Sequence, residues 1–405
     1  MPPSPTLATL FVRALSRTQA IMNRELTLDA TVDSLAAGGE GVARDASGRV
    51  TFIPGTAPGD RVTVRVLKTT STYARAEVIE LVTGGPSRVE PVCPHAMRVG
   101  ARQPAPVCGG CQWQHVSRSE QLAAKHAIVT SALRKLEGLH VHPIEDPGPG
   151  LGWRRRARFH VERGVVGLYA PGKQEVVPIG SCPQLEPALD AAYRVVVAAR
   201  PPDGELALLV NHKGEVAVAT EDPWPLGGEI VGRAGIRVIG RAAIEVEPGL
   251  CSGAWDFAQA SASGNRALVA RAAATLGNGP GRLLELHAGG GNLTRAYRAN
   301  GWVVLASDVS DHAEFVADAA AALARYPGPF DAIALDPPRA GAPEAIAGLL
   351  RHSPPTIVYV SCDVATLARD AGHLVAGGYR ATDAYPLDLM PQTAHVEVVL
   401  RLARS

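Results

Sequence analysis

Two periodicities divide the chain. Between residues 24 and 82, apolar and polar positions alternate in the runs LTLDATV, RVTFIPG, DRVTVRVLKTT and YARAEVIELV. Alternation places successive side chains on opposite faces of a strand. AGGEG, SGR and APGD interrupt the runs with turn residues. Short strands at this spacing predict a small five-stranded barrel. The segment SRSEQLAAKHAIVTSALRKLEG is helical in pattern, with Ser117 or Ser119 as N-cap and Gly138 as stop. Residues 151–250 return to strands and turns, as in ARFHVERGVVGLYAPG and LALLVNHKGEVAVAT, and Leu250 to Asn265 reads as a bridge. From Arg282 the pattern becomes strand–loop–helix: RLLELHAGGGN with LTRAYRANG, WVVLASD, DAIALDPP, and TIVYVSCD with VATLARDAGHLVAGG. Such alternation predicts an α/β fold with a parallel, doubly wound sheet.

Composition adjusts this picture. A chain of 405 residues has room for two or three domains. The expected divisions are an extension at 1–22, a barrel at 23–84, a central domain at 85–254 and the α/β domain at 255–405. Hydrophobic content of 46% with 20% charged residues is globular. The net charge of +1 gives no overall polyanion-binding signature, so nucleic-acid contact has to come from local patches. No run of apolar residues is long enough for a membrane span. Six cysteines, clustered rather than dispersed, point to a reducing, cytoplasmic compartment with metal or catalytic roles. Residues 1–22 carry Arg13 and Arg17 and no acidic residue, which imitates a transit peptide. The apolar core is short and no cleavage signal is clear, so the segment reads as a loose extension, with Met22 an alternative start.

Candidate chemistry gathers at strand ends. In open α/β sheets, ligands bind outside the carboxyl ends of the strands. Cys362 closes TIVYVSC, and Asp336 opens the rigid Asp-Pro-Pro turn of LDPPRAG. The loop HAGGGNLT leads into a helix, so Gly289 and Gly291 let the backbone approach a ligand. Asp308 ends WVVLASD, where a carboxylate can accept hydrogen bonds from ribose hydroxyls. A dehydrogenase is the rival reading, but DPPR and SC favour S-adenosylmethionine. Amino-group methyltransferases carry an aromatic residue after the two prolines; Arg339 stands there, which argues against N-methylation. Uracil C5 is a poor nucleophile. Thiolate addition at C6 raises electron density at C5, which then takes a methyl group and must lose its proton to a base. Glu397, in the apolar run QTAHVEVVLRL, is the candidate base, because a solitary buried carboxylate is costly unless used. A helix start near Thr366 would favour the Cys362 thiolate. The plainer readings are a structural thiol, a sheet-edge charge at Glu397 and a surface turn at DPPR.

Two resemblances sharpen these readings. GGEGVARDASGRVTFIPGTAPGDRVTVRV resembles a TRAM domain, an OB-like barrel of RNA-modifying enzymes, which implies phosphate contacts from Lys68, Arg75 and Arg88. DPPRAG, SCDVATLARD and MPQTAHVEVVLRL resemble the bacterial RNA uracil-5-methyltransferases, and the likeness spans nearly the whole chain. It implies a Rossmann-like methyltransferase domain behind the TRAM barrel and a cysteine-cluster central domain. Cys362 is then the nucleophile, Glu397 the base and Asp336 a substrate-side residue. Phe257 and Gln259 in DFAQAS match the family's F-x-Q stretch, so the implied donor set is Gln259, Glu285, Gly289, Gly291, Asp308 and Asp336. The spacing of Cys93, Cys108, Cys111 and Cys182 leaves zinc and iron–sulfur open. The likeness of CGGCQWQH to the ribosomal-RNA branch implies a [4Fe-4S] cluster. Cys251 reads as a packing residue, and His95, His115 and His126 as surface or core histidines.

The chain also departs from that family. Fourteen residues separate Cys93 from Cys108, a longer loop than usual, and only nine separate Asp308 from Asp318, so a helix is expected to be missing. Ser261 replaces an asparagine, Asp363-Val364 replaces Asn-Pro, and Glu285 stands where aspartate is usual. The expected activity is formation of 5-methyluridine in RNA, with 23S ribosomal RNA as substrate and partner. The alternatives are a transfer-RNA uracil-5-methyltransferase, a non-catalytic RNA-binding or RNA-chaperone protein, and a redox protein using the cluster.

Overall fold

The computed structural model describes residues 27–45, 47–100, 102–222, 224, 243–310 and 313–404. The expected extension at 1–22 lies outside them. The described residues form two compact units: up to 36, 40–88 and 98–102 in the first, and 37–39, 89–97 and everything from 103 onward in the second.

The first unit is all strand: β1 Thr27–Thr31, β2 Ser34–Leu35, β3 Gly41–Arg44, β4 Val50–Ile53, β5 Arg61–Thr69 and β6 Tyr73–Thr83. They make one six-stranded sheet in the order β1-β5-β6-β4-β3-β2, one strand more than the turn pattern predicted. The extra piece is the two-residue β2, too short to show a period. Alternate residues Val62 and Val64 of β5 meet Ile53, Ala43 and Ala76 in the core. Gly41 is required where it stands, since a Cβ there would lie 2.0 Å from Thr56 Oγ1. Of the three basic residues expected on phosphate, Lys68 is exposed. Arg75 is half committed to Glu40 at 2.8 Å. Arg88 is not available: its guanidinium donates to Asp60, fully buried, and to the Gly55 carbonyl at 2.8 Å. A buried carboxylate needs that partner, so Arg88 holds the barrel.

The second unit runs, in chain order, α1 Arg118–Leu133, β7 His140–Val141, β8 Arg156–Glu162, β9 Val165–Tyr169, β10 Val176–Pro178, α2 Pro187–Ala198, β11 Gly204–Val210, β12 Val216–Thr220, β13 Ile244–Glu247, β14 Leu250–Ser252, α3 Ala262–Leu276, β15 Gly281–Leu286, α4 Thr294–Ala299, β16 Trp302–Asp308, β17 Phe315–Val316, α5 Ala319–Arg325, β18 Ala332–Leu335, α6 Ile346–His352, β19 Thr356–Ser361, α7 Val364–Ala376, β20 Tyr379–Leu387 and β21 Glu397–Arg404. Ser117 is the N-cap of α1, and the helix ends at Leu133, five residues before Gly138. The central sheet has the order β10-β9-β8-β11-β12 and is antiparallel throughout. Helix α2 packs Leu189, Tyr193 and Val196 onto it.

The large sheet has the order β17-β16-β15-β18-β19-β21-β20-β7. Its first five strands are parallel, as the alternation predicted; β21 is antiparallel to both neighbours. Both faces are covered, which is why the strands read as continuous apolar runs. Leu284, Ile333, Ile357 and Leu400 face α1, α5, α6 and α7; Leu283, Ala334, Val358 and Val399 face α3 and α4. The strand order reverses between β15 and β18, so the loops after these strands and after β16 open into one crevice. No helix among the described residues is long and apolar enough to cross a membrane.

Candidate active site and cysteine centre

Cys362 follows the last residue of β19, and Glu397 opens β21. Ser361 pairs with Val398, so the next step along the antiparallel ladder sets Cys362 opposite Glu397. Glu397 also pairs with Leu387 of β20. It therefore stands on an interior strand and is 3% exposed, not a sheet-edge charge. Burial drives its carboxyl well above the ordinary range; the charge of Asp336 pushes the same way and Arg339 opposes it. Asp336 is itself raised, by burial and then by Asp308.

The thiol is not poised as a thiolate. Burial first, then Glu397, push Cys362 up to about 11, with Arg339 pulling it down. The helix start near Thr366 does not supply the expected relief. Asp363 caps α7 and takes the N–H groups of Ala365 and Thr366, each at 3.0 Å, so the first-turn donors are spent on a carboxylate.

Three residues that the sequence reading passed over fix the Asp-Pro-Pro turn. The Ala342 N–H donates to Asp370 Oδ2 at 2.8 Å and to the Tyr359 hydroxyl at 3.1 Å, and Tyr359 donates to the same carboxylate at 2.7 Å. Arg369 donates to the Ala340 carbonyl at 2.8 Å. The available signal was Asp370 on the apolar stripe of α7, three and four residues from Leu367 and Leu374.

At the donor end, Gly289 and Gly291 have φ of 54° and 89°. A Cβ on Gly289 would meet nothing within 4 Å, so the loop leaves open room beside its backbone. Asp308 closes this loop onto β16: its carboxylate accepts from Gly289 N–H at 3.0 Å and Ser310 N–H at 2.8 Å. Glu285 is 2% exposed against Thr294 and pushed up to about 8 by burial. Neither of its oxygens makes a hydrogen bond of standard geometry. His287, which the sequence reading did not single out, holds the rare φ of 58° on the same loop. Gln259 lies just before α3, its carbonyl accepting from Arg155 Nε at 3.0 Å. Ser261, the departure from asparagine, caps α3 by accepting from Gly264 N–H at 3.0 Å. No helix lies between Asp308 and Phe315 among the described residues: β16 passes to the two-residue edge strand β17, and Asp318 then caps α5.

Cys93, Cys108, Cys111 and Cys182 line one cavity, together with Arg154 and Gln114. Cys108 is pushed up to about 11 and Cys111 to about 12, first by burial; neighbouring thiols add to the rise and Arg154 lowers both. The Gly110 N–H lies 3.3 Å from Cys108 Sγ. Soft ligands that raise one another in this way suit a cation that would hold them as thiolates. Among the described residues, no group of three or more histidine, cysteine, aspartate or glutamate side chains is placed to hold a metal ion. His95, expected apart from any ligand set, lines the same cavity, with its ring Nδ1 2.9 Å from the Pro106 carbonyl. Cys251 is exposed rather than packed, because it sits on the two-stranded hairpin of β13 and β14.

The TRAM domain model matches residues 26–79, and the tRNA (Uracil-5-)-methyltransferase model matches residues 313–405. A 23S rRNA (uracil(1939)-C(5))-methyltransferase RlmD of Edwardsiella ictaluri is 32% identical, covering 91% of this chain and 93% of its own. The chain belongs to the RNA uracil-5-methyltransferase family. A second member, the enzyme of the same name from Pseudomonas aeruginosa, is 33% identical over 91% of this chain and 92% of its own. The family fold is matched by the crystal structure of Pyrococcus abyssi tRNA (uracil-54, C5)-methyltransferase in complex with S-adenosyl-L-homocysteine. The TM-score is 0.69 at 20% identity, over 93% of this chain and all of that one.

Proposed function

We propose that this chain methylates C5 of a uridine in 23S ribosomal RNA, with Cys362 as nucleophile and Glu397 as base. The observation that carries the reading is the placement of Cys362 opposite a fully buried Glu397, at the crevice formed with Asp336 and the glycine loop. Bound along that loop, S-adenosylmethionine supplies the methyl group; Gln259, Glu285, Gly289, Gly291, Asp308 and Asp336 are the residues proposed to hold it.

The target base leaves its stack to reach the crevice. The Cys362 thiol loses its proton to solvent, its sulfur forms a bond to C6, and the C5–C6 pair shifts toward C5 and O4. C5 then bonds the methyl carbon as that carbon's bond to the donor sulfur breaks, and S-adenosylhomocysteine is the leaving group. Glu397 takes the C5 proton, the electron pair re-forms C5=C6, and the C6–S bond breaks to return the thiolate. Arg339 assists by favouring the ionised forms of both Cys362 and Glu397. Asp336 orients the base edge.

Cys93, Cys108, Cys111 and Cys182 are proposed to hold a [4Fe-4S] cluster. Four thiols around one cavity suit either a cluster or a zinc ion; the likeness of CGGCQWQH to the ribosomal-RNA branch supports the cluster. The barrel at 23–84 presents Lys68 to RNA, the central domain at 85–254 carries the cluster, and residues 255–405 perform the transfer. The proposed ribosomal-RNA substrate supports a cytoplasmic compartment.

The test is incubation with S-adenosylmethionine and RNA tritiated at uridine C5. Tritium release from 23S RNA that vanishes in Cys362→Ala is the expected result. Release from transfer RNA alone would replace the substrate, and RNA binding with no release would leave a non-catalytic RNA-binding protein.

A further inference from the structure

Residues 152–155 tie together two regions with different chemistry. On one side they hold the loop that follows Cys182. The Gly152 and Arg154 N–H groups donate to the carbonyls of Pro183 and Gln184, each at 2.8 Å, and Glu186 N–H donates back to the Arg154 carbonyl at 2.9 Å. The Trp153 indole N–H donates to Gln184 Oε1 at 2.6 Å. On the other side, Arg155 N–H donates to the Ala260 carbonyl at 2.8 Å.

The Arg155 side chain, 3% exposed, carries the tie further. Its Nε donates to the Gln259 carbonyl at 3.0 Å. Its Nη1 donates to the Val246 carbonyl and to Glu247 Oε1, both at 2.9 Å. The same Glu247 oxygen accepts from Asn265 Nδ2 at 3.0 Å. Asn265 then exchanges amide hydrogen bonds with Asn292, at 2.7 and 3.1 Å. Asn292 follows Gly291 in the glycine loop. A guanidinium presents its N–H groups in a rigid fork, so one side chain fixes acceptors from several segments at once.

We propose that Arg155 is a positioning residue for the methyl donor: it holds Gln259, and through Glu247 and Asn265 the glycine loop, in one hydrogen-bonded frame with the Cys182 loop. The proposal rests on the donor-site reading above. Arg155 touches no reacting atom; it sets where the donor-binding backbone lies.

The test is calorimetric titration of the full-length protein with S-adenosylhomocysteine, alongside steady-state kinetics in donor and in RNA. Arg155→Met is expected to weaken the product complex about 10- to 100-fold, the scale on which small misplacements act. The donor KM should rise with it, while the RNA KM stays and kcat at saturating donor falls far less. Arg155→Lys, which keeps the charge beside Glu247 but lacks the fork, should lie between. If Arg155→Met does not fold, Arg155→Lys and Asn265→Ala, which removes the Asn265 links to Glu247 and Asn292 and leaves Arg155 in place, make the same test. Unchanged affinity in the folded variants overturns the proposal alone, and so does an equal loss in RNA KM, which marks a general structural defect. Wild-type protein that binds no S-adenosylhomocysteine overturns the donor-site reading and this proposal with it.

Discussion

Glu397 stands opposite Cys362 across the β19–β21 pair; the carboxylate lifts the thiol, and burial lifts both. Both shifts disfavour the ionised forms. Chemistry needs both protons gone, from the sulfur before C6 attack and from the carboxyl before C5 is deprotonated.

A pH dependence follows from the sign of these shifts. Raised values mean that the ionised forms appear only as pH increases, so kcat should climb through neutrality into the alkaline range. Arg339 lowers both groups, so Arg339→Gln should move the rising limb to higher pH. Rate profiles of the two proteins under single-turnover conditions check this; an unmoved limb would show that Arg339 does not act on the pair.

Glu397→Gln should separate the two halves of the reaction. The thiol can still add and C5 can still be methylated, but the C5 proton stays and elimination stalls. A methylated protein–RNA adduct that survives denaturing electrophoresis is expected, with turnover reduced by roughly 10²–10⁴-fold. Absence of the adduct, with tritium release intact, would move the base elsewhere.

The donor loop makes a separable prediction. Asp308→Ala removes the acceptor for Gly289 and Ser310 N–H groups and should weaken S-adenosylhomocysteine without altering RNA affinity. Gly289→Ala places a side chain at φ 54° in open space, at a conformational cost of about 1–2 kcal/mol. Calorimetry measures the first effect and thermal unfolding the second.

The cysteine centre is checked by elemental analysis of anaerobically purified protein. Iron and acid-labile sulfide in equal amounts, lost in Cys108→Ser, are expected. One zinc per chain with no iron would exchange the cluster for the alternative ion.

One stability prediction concerns the segment leading to Glu397. Lys125, fully buried on α1, donates to Asp388 at 2.5 Å and to the Met390 carbonyl at 3.1 Å. Burial brings Lys125 down to about 8 even with Asp388 beside it. Asp388→Asn leaves that ammonium without its counter-charge and should cost about 3–5 kcal/mol, measured by denaturant unfolding.

Much of this protein was written locally. The alternating runs of 24–82 and the strand–loop–helix units after Arg282 fixed the two kinds of sheet, because periodicity is a property of neighbouring residues. Cys362, Asp336, Asp308 and the glycine loop were legible for the same reason: each sits where an apolar run stops, and runs stop at the carboxyl ends of buried strands. Other features depend on residues far apart in sequence, and only tertiary structure decided them. The insertion of β21 between β19 and β20 put Glu397 on an interior strand opposite Cys362 instead of at a sheet edge. The Asp363 cap cancelled the helix effect expected at the thiol, since a sequence shows a helix start but not which acceptor takes its N–H groups. Arg88 went to Asp60 instead of to phosphate, and Asp370 reached back to Ala342, because a buried carboxylate takes whatever donor packing brings to it. The convergence of Cys93 and Cys182, and the frame that Arg155 builds around Gln259, rest on contacts nearly a hundred residues apart. Sequence pattern shows where polar groups stand along each element; the fold alone determines which of them meet.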